Sequence, residues 1–577
     1  MQSRKKLTKG SFPSLLCTLM VLLAACGDGN AQNKQILIVP LGNSVDVKTL
    51  DPAKASDLDS IGAIQMVFTG LVSFDDNLKV QNQLAASNSV ASDGVTWTFK
   101  LKSNLKFSDG QPLTSKDVVY SIDRALQPAT KSGTALTYLN LIKGADELQV
   151  GKRSTLIGTS LLTPNDQTII IIISRPCVYF LKALAYPASY VIEKSMIDKY
   201  GDQFADHLKE GIGGSGPWKI SKYAHGQAIE FVPNLNYYGV HPRLKKVVMV
   251  FYQNSDTIWR AYQAGQVHSS VVSSSQINNA KKLPSQQFHQ VRQLAVLYYA
   301  MNFLVRPFNN LKIRQAFALA INKDELASTI YENSVVPTNH IVPDSMPDYN
   351  NKNLTGPLGI RSTKGDRVLA KKLFDEGLAE EHMTLASLPS ITFSTSAISN
   401  TARNEVAAVQ QMWESTLGVK ITIETIEVNT FWDQVSNTKG NAHGLQIWRD
   451  DWFADYPDPQ DWLTLLFSSN APQNAMNYGT NQTPQNSEEQ ANQALLVQAD
   501  TVANTIERVQ KYNRAEQELI NDVARVPIYQ ETNTYVQKPC VAGTVDNALG
   551  LIPPDDWARI SISPDLSCAD VSWYSAK

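Results

Sequence analysis

Residues able to carry out catalysis are few and scattered in this sequence. It contains no HExxH metal-binding helix, no GxSxG nucleophile elbow and no cluster of cysteines and histidines at metal-ligand spacing. Its eight histidines occur singly along the chain. Carboxylates are numerous enough that a pair acting on a glycosidic bond stays open, which keeps a secreted hydrolase as an alternative. We predict a protein that is not an enzyme and that holds no metal or other cofactor.

A glycine-rich segment, GIGGSG at 211–216, matches the GxGxxG pattern of dinucleotide-binding proteins. That pattern requires a strand before it and a helix after it, because the helix N-terminus faces the pyrophosphate. Here PWKISKY follows at 217–223 and alternates as a strand does. We therefore predict that the glycines let the chain cross between lobes and bind no nucleotide.

Acidic and aromatic residues are concentrated near position 455. A charged ligand group loses its water on burial and needs an opposite charge and hydrogen bonds, so a buried Asp455 could hold an ammonium. Trp452, Phe453 and Tyr456 could then frame the site with aromatic walls. Taken alone, an aspartate before a proline-rich turn is more often structural. Residues 452–456 by themselves therefore do not predict a binding site, and further evidence from the rest of the sequence is needed.

The N-terminus has the pattern of a secretory signal. Four basic residues precede an apolar stretch at about 12–25, which is too short to span a bilayer, since spanning needs about 20 apolar residues. The segment LAAC at 23–26 resembles the lipobox of bacterial lipoproteins, which implies cleavage before Cys26 and lipid attachment to it. We predict a signal peptide at 1–25 and a polar tether at 26–33. The alternative is ordinary cleavage that leaves Cys26 unmodified.

Length and charge limit the function classes. About 550 residues would remain after processing. A single hydrophobic core rarely supports a chain of this length, so two or three lobes are expected. The mature chain would hold 48 basic and 54 acidic residues, a net charge near −6. Nothing in it is basic enough for nucleic acid.

Three cysteines would remain in an oxidising compartment, and an odd number cannot all pair. Cys540 and Cys568 are close in sequence and form the candidate disulfide. Cys177 would then be a buried thiol beside apolar residues.

Strands alternate with helices along the chain, which predicts a mixed α/β fold. WTFKLK at 97–102 alternates like a half-buried strand, and a helix capped by Thr114 or Ser115 follows it. An amphipathic helix at 404–417 is expected to end at Gly418 before another strand.

The predicted strands and helices, in the order in which they occur along the chain, resemble those of family 5 of the bacterial extracytoplasmic solute-binding proteins. This family includes oligopeptide- and dipeptide-binding proteins of ABC importers. The most specific likeness is WTFKLK followed by KFSDGQPLTSKDVVYS at 106–121, which is similar to the family signature. The likeness extends over nearly the whole mature chain, and three further matches support it: GSGPW at 214–218, PFNN with IRQA at 307–316, and ADYPDP at 454–459.

The resemblance implies a two-lobed, type II periplasmic-binding-protein-like fold of the large class, with an extra domain on lobe I and a ligand cleft between the lobes. By this analogy lobe I comprises 34–77, 213–303 and 525–577. The extra domain would occupy 78–212 and lobe II 304–524. The lobes would close around a bound solute without breaking any bond.

The resemblance also assigns residues to the site. Asp455 matches the aspartate that holds the ligand α-amino group in the family's peptide binders. Arg449 corresponds to an arginine that pairs with a ligand carboxylate, although the acids that follow it make a local ion pair the alternative. Leu58 aligns with a position whose main chain binds the peptide backbone. Val428 stands where oligopeptide binders have a tryptophan, so the side-chain pockets should differ.

The function implied is capture of short peptides and their delivery to the permease and ATPase of an ABC importer. We expect an extracytoplasmic monomer, attached to the bacterial membrane through lipid alone. Relatives that bind oligosaccharides, nickel complexes or opines are the alternatives within this class, and a ligand-sensing surface protein is another. Asp455 favours an amine-bearing ligand, whereas the ten tryptophans keep a sugar ligand open.

Overall fold

A computed structural model describes residues 35–42, 45–396, 399–564 and 566–575. The predicted signal peptide at 1–25, Cys26 and the tether at 26–33 lie outside these residues. Within them strands and helices alternate in a mixed α/β fold. No helix of this described part combines the length and apolarity that a membrane crossing needs.

The strands are numbered in chain order. They are β1 (Ile36–Gly42), β2 (Val72–Phe74), β3 (Val80–Asn82), β4 (Ala85–Val90), β5 (Thr96–Leu101), β6 (Leu161–Asn165), β7 (Thr168–Ile172), β8 (Trp218–Ala224), β9 (Ala228–Pro233), β10 (Lys246–Tyr252), β11 (Ser269–Val271), β12 (Phe288–Met301), β13 (Val336–Pro337), β14 (Ile391–Ser396), β15 (Ile421–Ile426), β16 (Ile447–Phe453), β17 (Val526–Gln537), β18 (Val541–Ala542) and β19 (Ser561–Ile562).

The α-helices are numbered in the same way. They are α1 (Leu58–Val67), α2 (Ser115–Leu126), α3 (Ala135–Leu139), α4 (Ala145–Gln149), α5 (Phe180–Leu184), α6 (Lys194–Tyr200), α7 (Phe204–His207), α8 (Ser255–Gln263), α9 (Ile277–Ala280), α10 (Leu311–Leu319), α11 (Lys323–Thr329), α12 (Arg367–Glu380), α13 (Asn400–Leu417), α14 (Val428–Ser436), α15 (Thr464–Phe467), α16 (Asn486–Thr501), α17 (Thr505–Asn521) and α18 (Ser572–Ser575).

Three sheets organise these elements. A four-stranded sheet, ordered β1-β10-β9-β8, lies within the residues predicted as lobe I and contains one parallel pair, β1 with β10. A second four-stranded sheet, ordered β4-β5-β7-β6, lies wholly within the predicted extra domain and is antiparallel. A seven-stranded mixed sheet runs β11-β17-β12-β16-β14-β15, with β13 beside β17, and its β16, β14 and β15 fall within the residues predicted as lobe II.

The predicted helix after the family signature is α2, which begins at a capping box between Thr114 and Asp117. It buries Val118 and Ile122 in one core that also contains Leu37 of β1. Because this core is continuous from the lobe I sheet to the β4-β5-β7-β6 sheet, the extra domain packs on lobe I as one body.

Two long strands, β12 and β17, cross between the lobes. Near one end of β17, Val536 packs with Ile38 and Val248 of lobe I. Near the other end, Ile528 packs with Leu297 of β12 in the core of lobe II. The predicted boundaries at 303/304 and 524/525 therefore differ from the division of the cores, which falls within the two strands. A continuous strand carries no sequence signal at the point where it leaves one core for another.

The glycine-rich segment is followed by β8, as predicted. Gly216 donates its backbone N–H to the Val67 carbonyl at the end of α1, at 2.7 Å. A Cβ on Gly214 would lie 2.6 Å from the Val67 carbonyl oxygen, and one on Gly216 would lie 2.5 Å from that of Met66. Glycine is required here because two backbones approach closely.

We expect Gly216→Ala to lower the free energy of unfolding by about 1–3 kcal/mol, because the added methyl group overlaps backbone that cannot give way. Urea denaturation measures the change. Gly133→Ala is the matched control, since a Cβ there would meet nothing within 4 Å. Equal effects at the two positions would contradict the close-approach explanation.

Cys540 and Cys568 are joined by a disulfide, and Cys177 is a free, buried thiol. The disulfide attaches the C-terminal segment to the lobe I side of the molecule, next to β18 and β19, which pair with each other.

Candidate functional site

A cavity of about 300 Å³ lies between the lobes and is called the interlobe cavity here. Its wall combines the start of α1, residues 73–78, residues 185–190 of the extra domain, residues 453–455 of lobe II and residues 547–554. The volume is at the lower end of the range for small-molecule sites. A ligand here would contact both lobes and the extra domain at once.

Asp455 follows the end of β16 and lines this cavity. Burial raises the pKa of Asp455 to about 6, and hydrogen bonding from Tyr138 opposes that rise. No cation contributes to this shift, and no ion pair of the described residues involves Asp455. The carboxylate is therefore a half-buried negative charge that accepts from Tyr138 and has no cationic partner, a condition that favours a cationic ligand.

Asp461 lies behind Asp455 and is fully buried. Its Oδ2 accepts hydrogen bonds from the Asp455 backbone N–H at 3.1 Å and from the Trp452 indole at 3.2 Å, while its Oδ1 has no partner. Burial and the charge of Asp455 hold the pKa of Asp461 well above its usual range. Burial thus favours the protonated form of Asp461, the member of the pair that lies behind Asp455, while Asp455 is the member on the cavity wall.

The predicted aromatic walls are realised only in part. Phe453 lines the interlobe cavity and is 39% exposed. Trp452 does not line it and instead donates to Asp461. Tyr456 is buried, with its ring parallel to Tyr179 of the extra domain at a centroid distance of 6.1 Å. Trp452 and Tyr456 position the loop that carries Asp455 and are not part of the cavity wall.

The structure places Arg449 in an internal ion pair and not on the cavity wall. Its guanidinium lies 3.2 Å from Glu405 of α13 and donates to the Tyr529 hydroxyl. The hydroxyl of Tyr299 also donates to Glu405. Arg449 therefore does not pair with Asp450, the next residue along β16. Neighbouring side chains on a strand point to opposite faces, and Asp450 accepts a hydrogen bond from the Tyr298 hydroxyl instead.

Leu58 is the first residue of α1, and its side chain is 48% exposed at the cavity wall. The preceding residue, Asp57, caps the helix by accepting a hydrogen bond from the Ser60 N–H at 3.0 Å through Oδ1. Its Oδ2 is shielded from solvent and has no partner. The sequence analysis missed Asp57, although an aspartate before a helix could have been noticed as a cap.

Two tyrosines of the extra domain were also missed. Tyr186 lines the cavity and donates to the Ala55 carbonyl at 3.1 Å. Tyr138 stacks on Tyr186 at a centroid distance of 3.6 Å and reaches Asp455. No local pattern marks either residue, since both reach the site only through packing of the extra domain.

A second cavity, of about 350 Å³, adjoins the first in lobe I. The two share Leu58, Gln65, Asn547 and Leu551 in their walls. The second cavity extends to the crossing strands, where Val291 of β12 forms part of its wall. Together the cavities provide room for a ligand longer than a single amino acid.

Residues 79–474 match the family model described as bacterial extracellular solute-binding proteins, family 5, middle. The chain is 27% identical over 550 residues to the oligopeptide-binding protein OppA of Bacillus subtilis, covering 93% of this chain and 96% of that protein. It is 28% identical over 520 residues to the periplasmic oligopeptide-binding protein OppA of Salmonella typhimurium, covering 89% and 90%.

Among solved structures, the chain is similar to the murein tripeptide binding protein MppA of Escherichia coli. The TM-score is 0.74 at 24% identity, and the match covers 92% of this chain and 99% of that one. The fold is therefore the two-lobed periplasmic-binding fold, with its ligand cleft between the lobes.

Proposed function

The chain belongs to family 5 of the bacterial extracellular solute-binding proteins, and from that premise we propose that it binds short peptides in the interlobe cavity and delivers them to an ABC importer. Members of the family are binding proteins of transport systems, and the chain is not an enzyme. The observation that carries the proposal is the unpaired carboxylate of Asp455 on the wall of the interlobe cavity.

A peptide α-ammonium fits that carboxylate. An ammonium that leaves water loses its hydration, and a buried anion at hydrogen-bonding distance compensates for the loss. The benefit is mutual, because the ligand also neutralises Asp455, whose ionised form is disfavoured by burial in the empty site. A neutral sugar would leave that charge uncompensated, so the site favours an amine-bearing solute.

Beside this carboxylate the protein has an open strand edge to which the backbone of a peptide could bind. β14 pairs with β16 only through Ile447 and Trp448, so residues 449–453 have no strand partner on that side within the described chain. An extended peptide can add to such an edge through main-chain hydrogen bonds that do not depend on its side chains. Leu58 lines the same cavity, and in this proposal its main chain binds the peptide backbone from lobe I.

Contacts from both lobes require closure. Asp455 and Leu58 lie on different lobes, so a peptide that touches both stabilises the closed form over the open form. In this proposal the chain is a monomeric, extracytoplasmic lipoprotein anchored through Cys26. The closed, loaded form is what the permease and ATPase of the importer would receive.

The direct test is mass spectrometry of ligands that co-purify with the protein from an exporting host. We expect short peptides, and titration calorimetry with the recovered peptides should show one site per chain. Recovery of oligosaccharides, opines or nickel complexes in place of peptides would overturn the proposal. So would an absence of heat with every peptide tested.

Peptide affinity is expected to be highest between about pH 6 and about pH 8. Because the pKa of Asp455 in the empty site is about 6, at lower pH a bound proton must leave before an ammonium can bind. Affinity then falls by up to about tenfold per pH unit, and it falls again above about pH 8, where a peptide amine loses its proton. Calorimetry across this range measures the profile. A constant affinity below pH 6 would contradict the assignment of Asp455.

A further inference from the structure

An ion pair joins the predicted extra domain to lobe II away from the ligand cavities. Lys182 of α5 donates to Oδ2 of Asp458 and to the Pro457 carbonyl, both at 3.0 Å. Phe180, on the same helix, lies in the core that is shared with the lobe I sheet. Asp458 follows β16, whose Trp448 lies in a separate core. The ion pair therefore links two bodies that closure would bring together.

Arg508 of α17 holds the same carboxylate from the lobe II side. Its Nη2 lies 2.6 Å from Oδ1 of Asp458 and its Nη1 lies 3.0 Å from Oδ2, a bidentate pair. Burial raises the pKa of Asp458, but the charges of Arg508 and Lys182 outweigh burial and hold it below its usual range. Asp458 thus keeps one cation of its own lobe when the lobes separate, and only the bond to Lys182 depends on closure.

A second, looser ion pair lies beside the first. Arg175, in the loop after β7, approaches Oδ2 of Asp500 in α16 at 3.7 Å. Asp500 is buried, and its Oδ1 accepts from the hydroxyls of Thr464 and Tyr512. Tyr512 also accepts from Arg508, which connects the two carboxylates within lobe II. The segment 175–182 therefore presents two cations to two buried carboxylates of the other body.

These two ion pairs, Lys182 with Asp458 and Arg175 with Asp500, are called the clasp. None of the four residues lines the interlobe cavity or the adjoining cavity in lobe I. A ligand in either cavity therefore does not touch them. Attraction between charges is strong where water is excluded, so opening the lobes loses this attraction whether or not a ligand is bound.

We propose that the clasp holds the lobes closed independently of the ligand, and that Lys182 and Arg175 are positioning residues that set the affinity for every ligand by one common factor. A contact that favours only the closed form raises the closed fraction, and apparent affinity follows that fraction whatever the ligand is. The effect on peptide affinity rests on the proposed function. The closed fraction of the unliganded protein does not.

The first test measures the closed fraction without ligand by single-molecule fluorescence energy transfer. Dyes are attached through Val150→Cys after α4 and Val368→Cys in α12, because these side chains are 65% and 84% exposed, whereas Cys177 is buried. We expect Lys182→Met combined with Arg175→Met to lower the closed fraction by about threefold or more. Methionine keeps an apolar stem and removes only the charge.

The second test is titration calorimetry with three tripeptides of different side chains, Ala-Ala-Ala, Lys-Ala-Ala and Ala-Phe-Ala. We expect Lys182→Met to weaken all three by one common factor of about three- to tenfold, and Arg175→Met to weaken them by a smaller common factor, because its ion pair is longer. Asp458 keeps Arg508 in the first variant, so lobe II should fold normally. Urea denaturation checks that it does.

Lys194→Met is the matched control. Lys194 belongs to the same predicted domain but pairs with Asp198 of its own helix, α6, at 2.6 Å. The substitution changes the net charge equally and breaks no contact between the bodies. It should leave the closed fraction and all three affinities within about 1.5-fold of the unsubstituted protein, since exposed pairs within a helix contribute little.

An unchanged closed fraction in the double variant would overturn the clasp. Factors that differ by more than about threefold among the three peptides would also overturn it, because Lys182 would then act on the ligand itself. Equal effects of Lys194→Met and Lys182→Met would assign the change to net charge and reject the clasp as well. If the unsubstituted protein binds no peptide, the proposed function fails, whereas a lower closed fraction in the double variant would still support the clasp.

Discussion

Asp455→Asn is expected to weaken peptide binding at least tenfold while leaving the unliganded protein as stable as before or more stable. Asparagine has the same shape but cannot neutralise an ammonium, so the charge-assisted hydrogen bond to the ligand is lost. In the empty protein the ionised side chain is disfavoured, because its pKa of about 6 lies above the ordinary value of 3.8. The substitution removes that unfavourable charge at neutral pH.

Titration calorimetry measures the affinity, and urea denaturation measures the unliganded stability. Asp461→Asn is the matched control. Since burial and the charge of Asp455 favour the protonated form of Asp461, which does not line the cavity, an amide there should reduce affinity far less than the change at Asp455. An affinity of Asp455→Asn within twofold of the unsubstituted protein would reject the role of this carboxylate, and comparable losses at both positions would show that the charge is shared.

Glu405→Ala is expected to lower the free energy of unfolding by about 3–5 kcal/mol, the cost of removing one member of a buried ion pair. The carboxylate of Glu405 is fully buried and accepts from the guanidinium of Arg449 and from the hydroxyls of Tyr299 and Tyr331. Its loss leaves a buried cation and two hydroxyl groups without an acceptor. Urea denaturation measures the change.

A double substitution provides the control. Glu405→Leu combined with Arg449→Met replaces the pair by apolar side chains of similar size, which is often neutral or stabilising when a buried ion pair is removed whole. We expect the double variant to be more stable than either single variant and to retain peptide binding. If Arg449→Met alone abolishes peptide binding at little cost in stability, Arg449 is a ligand residue after all.

Local sequence was a good guide to elements with strong periodicity and clear end signals. The predicted strand at 97–102 is β5, and the predicted cap at Thr114 or Ser115 starts α2. The helix predicted to end at Gly418 is α13, whose C-cap has the left-handed conformation that favours glycine. The strand after the glycine-rich segment was also predicted, and this was enough to argue against a nucleotide site.

Predictions that depended on distant contacts were less complete. Of the residues predicted for the site, Asp455, Phe453 and Leu58 line the interlobe cavity, but Trp452, Tyr456 and Arg449 do not reach its wall. Arg449 and Tyr456 have partners far away in sequence, Glu405 and Tyr179, whereas Trp452 donates to Asp461, which lies nine residues along the chain. A residue type indicates which bonds a side chain can make, but not which partner folding brings within bonding distance.

The sequence by itself determined the family, the alternation of strands and helices, and the position of one aspartate suited to an ammonium. These depend on short-range order along the chain, where periodicity, caps and motifs operate. Only the tertiary structure decided that Asp455 has no cationic partner, that Arg449 is neutralised and that Lys182 reaches Asp458 across the lobes. Charge pairing and burial depend on the distances between segments that folding brings together, and those distances are set by the packing of three domains.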